Sequence, residues 1–178
     1  MRFSILIIAL GGLVAAPLHA QETVNRFDRP ARVREYGASL TDVYSWAGVA
    51  GSTLLDQILD NPETWTLRER ALSNSGRFLI EESIYHGVAA MQDRSTWYYP
   101  CACTGVPERI VHAFAETITD HDRSGAAHVS VARLGATYGA ASAEALWRPD
   151  VSIGNAIATA SSSLVFSGLF NIVREFVQ

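Results

Sequence analysis

The side chains best able to do chemistry fall in two places. The first is WYYPCACTG at residues 97–105, which holds the only two cysteines of the chain, Cys101 and Cys103. In extended backbone, residues two apart point the same way with α-carbons about 7 Å apart, the outer edge of what a disulfide tolerates. Three readings stand open. A bridge at that limit is easily reduced, the profile of a redox-active pair, although the strand-then-helix setting that lowers a thiol pKa is missing. Two thiolates with a histidine are a start towards a metal site. The third reading is a staple that closes a local loop or a bridge to another chain.

The second place is the row His112, Glu116 and Asp120, with His128 just beyond. Spacing of i, i+4, i+8 puts the first three on one face of a helix, where imidazole and carboxylate can hold a divalent metal for hydrolysis. Ile110, Phe114 and Ile118 occupy the other side, so the same row is also what the wet face of an amphipathic helix looks like. No HExxH accompanies it. Glu82 and His86, also four apart, read as a local pair.

Arg133 stands in the middle of a helical stretch with Thr137 and Glu144 on its side. A buried arginine demands a carboxylate, so Arg133 with Glu144 is a candidate ion pair, or else Arg133 contacts an anion such as a lipid headgroup phosphate. All 14 basic residues are arginine, which excludes lysine Schiff-base chemistry. There is no Gly-x-Ser-x-Gly elbow, no glycine-rich phosphate loop and no motif that calls for a cofactor.

The elements that would position these groups are helical. Ser39-Leu-Thr-Asp reads as a capping start for a helix over 39–60 that Asn61-Pro62 stops. A second helix covers 67–91, with weak propensity at Ser73-Asn74-Ser75-Gly76. Pro107 and Glu108 open a third that runs to His121, and Asp122 to Gly125 turn the chain. A fourth spans 127–147, and Asp150 caps a fifth that reaches Phe176. No β alternation is long enough for a sheet. The expected class is an all-α, single-domain bundle of about five helices over residues 38–178.

Small residues repeat along both late helices, with Gly135 and Gly139 on the fourth and Gly154, Ala158 and Gly168 on the fifth. Such stripes let backbones approach closely, as in membrane helix pairs. From Val151 to Val173 no charge occurs, so the fifth helix is long enough to cross a bilayer. Its asparagines and serines suit a buried soluble helix equally well.

Residues 1–20 read as a secretory signal peptide, with Arg2, an apolar run from Ile5 to Ala16 and a small residue at Ala20. Cleavage there would leave 158 residues, with 13 arginines against 18 acids, a net charge of −5. That balance argues against nucleic-acid binding. Residues 21–37 read as a flexible or loosely docked polar arm.

From about Trp65 onward the chain resembles a loose group of exported bacterial helical proteins with no assigned activity. The resemblance rests on Gln92-Asp93-Arg94, Asp122-x-x-Gly125, Arg133 with Tyr138, Trp147-x-Pro149 and Phe170 to Phe176. It implies an exported helical domain, and the loop with Cys101 and Cys103 departs from the group's pattern.

The expected function is that of a non-catalytic protein of the periplasm or cell envelope. Its expected partners are a second copy, an envelope protein or the membrane. The alternative is a metal-dependent hydrolase or a thiol-redox enzyme built on the residues above.

Overall fold

The structure, a computed structural model, describes residues 26–59, 65–148 and 151–177. The signal peptide expected at 1–20, the expected Asn61-Pro62 stop and the expected Asp150 cap lie outside them. In chain order the elements are α1 (Arg29–Thr41), α2 (Val43–Leu59), α3 (Leu67–Met91), α4 (Val106–Glu116), β1 (Thr119–His121), β2 (Ala127–Val129), α5 (Val131–Glu144) and α6 (Ile153–Val177). The class is all-α, as the sequence leads one to expect, with one short hairpin added.

Capping chemistry explains most helix starts. Thr66 and Glu69 form a reciprocal capping box at the head of α3, whose bounds match the expected 67–91, and the helix runs unbroken through Ser73 to Gly76. Pro107 sits in the first turn of α4. Ser130, whose side chain accepts from the Arg133 N–H at 2.9 Å, caps α5.

Three boundaries differ from expectation. The polar arm is helical from Arg29, and Ser39 belongs to this α1 rather than starting the next helix. Asp42 starts α2 instead, accepting from the Ser45 N–H at 2.8 Å. No residue of α1 is buried, so it docks through polar contacts. Arg32 reaches Asp93 at 3.0 Å and the Arg94 carbonyl at 2.9 Å, while Tyr36 and Ser83 share a hydrogen bond of 2.8 Å.

The third difference is the hairpin. The helices expected to reach His121 and to begin at residue 127 both give way to antiparallel strands pairing Thr119 with Val129 and His121 with Ala127. The Asp122 carboxylate accepts from the backbone of Ser124 at 2.8 Å and of Ala126 at 3.1 Å, and Gly125 takes φ +83°. That side-chain turn supplies what a helix ladder would otherwise provide.

α5 is the centre of the bundle, packed on α3 and on α6; α4 lies on α6, and α1 and α2 lie on α3. The contact face of α5 is alanine. Ala132 and Ala136 meet Tyr85 and Ala89 of α3, and Ala141 meets Ala156 and Ala160 of α6. The small-residue idea therefore holds on a rotated face. Gly135, Gly154 and Ala158 are exposed, correcting their expected role in packing. Gly139 keeps a neighbour, since a Cβ there would lie 3.9 Å from Ile84. At Gly168 a Cβ would come within 2.5 Å of the Phe114 ring, so glycine is what lets α4 seat on α6.

The two faces of α5 give opposite expectations. Ala136→Leu overfills the α3–α5 seam and should cost about 1–3 kcal/mol. Gly135→Ala meets nothing within 4 Å and should gain roughly 0.5–1 kcal/mol from helix propensity. Urea unfolding of both variants measures the pair, and equal effects would contradict this packing.

Candidate functional site

The cysteine loop is held by a buried carboxylate that charge patterning did not single out. Glu175, near the end of α6, is 1% exposed. It accepts from the Cys101 N–H at 2.9 Å, from Arg109 Nε at 3.4 Å and, in a short contact, from the Tyr98 hydroxyl. Arg109 also donates to the Glu175 carbonyl and stacks on Phe176. Burial alone would push the Glu175 carboxyl up. Donation from Tyr98, the Cys101 N–H and Arg109 outweighs it and holds the group below its usual range. Conversely, desolvation and the Glu175 carboxylate keep the Tyr98 phenol protonated far above its ordinary range.

Cys101 and Cys103 form a disulfide with α-carbons 5.1 Å apart, well inside the normal span. The backbone is not extended there, so the limit expected from a strand does not apply. The two cysteines are thus bridged to each other within the loop, not to another chain. Tyr99 ties the same loop to α4: its carbonyl accepts from His112 Nε2 at 2.7 Å and its N–H donates to Glu116 at 3.4 Å.

The row expected to hold a metal is thus divided among different partners. His112 holds the loop, and Glu116 also pairs with His121 Nε2 at 3.0 Å. Asp120 leaves the helix for β1 and faces Arg94 at 3.8 Å; His128 sits in β2 and pairs with Asp122 at 2.9 Å. Among the described residues no three histidines, cysteines or carboxylates are grouped as ligands. The spacing argument fails because α4 ends at Glu116, one turn before Asp120.

Arg133 and Glu144 are not partners either. Eleven helical residues separate them by about 16 Å along α5, beyond the reach of their side chains. Arg133 turns to α3, with Glu82 at 3.4 Å, Glu81 at 4.0 Å and the Tyr85 ring at 3.7 Å. Glu144 takes the Ser73 hydroxyl at 2.7 Å, Arg148 at 3.3 Å and Arg77 at 3.9 Å. Arg133 and Glu144 each meet a counter-charge on α3, and Glu144 a nearer one in Arg148 four residues on.

Around Glu82 lies the nearest approach to a catalytic arrangement. His86 Nε2 is 3.4 Å from Glu82, and its Nδ1 is 3.5 Å from the Thr96 hydroxyl. That is a carboxylate, imidazole and hydroxyl in sequence. Yet the Thr96 hydroxyl donates to Glu35 and not to the imidazole, which breaks the sequence. Burial pushes the Glu82 carboxyl up, but the His86 hydrogen bond and the Arg133 charge bring it down to about 2. For Glu35 burial wins, and its carboxyl is raised. Two open grooves of about 370 and 470 Å³ lie elsewhere. One runs along Pro107, Glu108, Val111 and His112, the other between Trp65 and Trp147.

The lowered pKa values of Glu82 and Glu175 fix a sign. Their stabilisation is complete above the unfolded carboxyl value of about 4.3 and is lost as pH falls through the folded values. Glu175→Gln should cost roughly 1.5–3 kcal/mol at pH 7, the worth of hydrogen bonds to a charged acceptor. The gap from wild type should shrink near pH 2. Urea titrations at both pH values measure it, and a pH-independent gap would contradict the clasp. Separately, a thiol reagent should label neither cysteine before reduction and both after it, by intact mass.

No family model matches the chain, and no curated protein or solved structure is significantly similar to it, so its function rests on this geometry alone.

Proposed function

We propose that this chain is an exported, non-catalytic helical protein of the cell envelope that works by docking its apolar outer surface on a partner. One observation carries the reading: burial is inverted. Among the described residues, the largest fully buried side chains are Arg70, Glu175, Asn74, Thr137 and Ser130, and the buried apolar core is alanine apart from Tyr85. Large apolar side chains lie outside: Val43, Tyr44, Leu54 and Ile58 on α2, and Ile157, Val165, Phe166 and Leu169 on α6. Helix α6 is long and apolar enough to cross a membrane, yet only 17% of its most apolar stretch is buried. Continuous exposed apolar surface beyond a few hundred Å² marks an interaction site.

The polar interior supports the same reading. Glu82, Glu144 and Glu175 are each held by cations and hydrogen bonds, an arrangement that positions helices. The signal-peptide pattern at 1–20 and the disulfide, which persists in oxidising compartments, support export.

Cell fractionation tests the proposal. The tagged full chain should sediment with the envelope, and Phe166→Ser with Phe170→Ser should move most of it to the soluble fraction. Wild-type protein recovered wholly as a soluble monomer would end the reading.

A further inference from the structure

Resting on that reading, we propose that the partner is a phospholipid bilayer. The carboxyl-terminal half of α6 lies in its surface, parallel to the plane and without crossing it.

The outer face of α6 changes character midway. In its first half the outward residues mix Ile153 and Ile157 with Asn155, Ala158 and Ser162. From residue 165 on they are mainly Val165, Phe166, Leu169, Val173 and Phe176, with Val165 54% exposed and Phe166 46%, while Phe170 is 38% exposed and lies near Gly48 of α2. Residues 165 to 177 rise only about 20 Å, short of the roughly 30 Å of hydrocarbon in a bilayer. That unbroken apolar stretch suits a helix lying at the interface.

The inner face forbids spanning for a second reason. Asn171 Nδ2 donates to the Ala113 carbonyl at 3.3 Å and to Thr117 Oγ1 at 3.1 Å, and Gly168 sits under Phe114. Helix α4 would have to follow α6 into the hydrocarbon, taking Glu108, Arg109, His112 and Glu116 with it, at several kcal/mol per charge.

The surroundings of the stripe carry the chemistry of a lipid–water boundary. At its end Arg174 stacks on Tyr98, Arg109 on Phe176 and Arg26 on Trp97 and Tyr99. The neighbouring Glu175 is turned inward and holds Arg109, while Arg174 stays exposed. Arginines among tryptophan and tyrosine match the phosphate and glycerol level of a leaflet.

Flotation of the purified mature protein with vesicles of phosphatidylcholine and phosphatidylglycerol tests the assignment with no other protein present. Wild type should float with the vesicles. Phe166→Ser with Phe170→Ser should bind at least about tenfold more weakly. Leu72→Ser, an exposed apolar site on α3, should bind as wild type does. If circular dichroism shows that the double variant has lost its helices, Leu169→Asn carries the same comparison. Wild type that stays below the vesicles overturns the lipid assignment, as does equal binding by the folded variants. Retention in the cellular envelope fraction would then leave the docking reading intact with a protein partner, whereas loss of both would remove the two together.

Discussion

Helices faced with alanine come too close together to hold large side chains between them. That constraint organises this molecule. Ala132, Ala136 and Ala140 are fully buried on α5, and Ala156 and Ala160 are at most 3% exposed on α6. The seams they line gain close van der Waals contact but little apolar area per residue. Space for bulk remains only at the ends of the seams, and there the chain places charge: Glu144 with Arg77 and Arg148 at one end of α5, Glu82 with Arg133 nearer the other. Apart from Tyr85, which the α3–α5 seam holds, most aromatic and branched residues among those described are left partly or largely outside.

Much of the architecture is readable in residue order, and what escapes has a physical cause. The all-α class, the bounds of α3 and the proline start of α4 follow from local capping and periodicity. Propensity around Ser73 to Gly76 suggested a break, but Ser73 and Asn74 gain buried partners in Glu144 and Asp56, and tertiary bonding holds the helix straight through them. Helix α1 was hidden because its sequence is polar on every side, so no periodic face announced it. The hairpin was hidden because its strands are three residues long, too short for alternation to register.

The site was less legible than the fold, since pairing across helices leaves no trace in sequence spacing. Arg133 and Glu144 share a helix and look like partners, yet each finds its counter-charge on α3. His112 and Glu116 were rightly placed on one face, but that face meets the backbone of Tyr99 instead of a metal. Glu175 had one available signal: it is an acid after a long uncharged run, flanked by Arg174 and Phe176. A lone carboxylate in such surroundings must either reach water or find donors, and here it finds Tyr98, Arg109 and the Cys101 N–H.

That carboxylate also answers a question the apolar content of α6 leaves open. Its carboxyl-terminal half is apolar almost all round, so hydrophobicity alone scarcely distinguishes an inward from an outward face. Rotation by a third of a turn would expose a different set of valines and phenylalanines at little cost in buried area. It would also pull Asn171 away from Ala113 and Thr117, and strip Glu175 of its three donors. Leaving a buried charge unpaired costs several kcal/mol, far more than any difference between the apolar faces. The two polar side chains one turn apart therefore set the rotation of α6, and the disulfide loop supplies one of the donors that makes the setting hold. Which apolar residues point outward is decided by where these polar ones must point in.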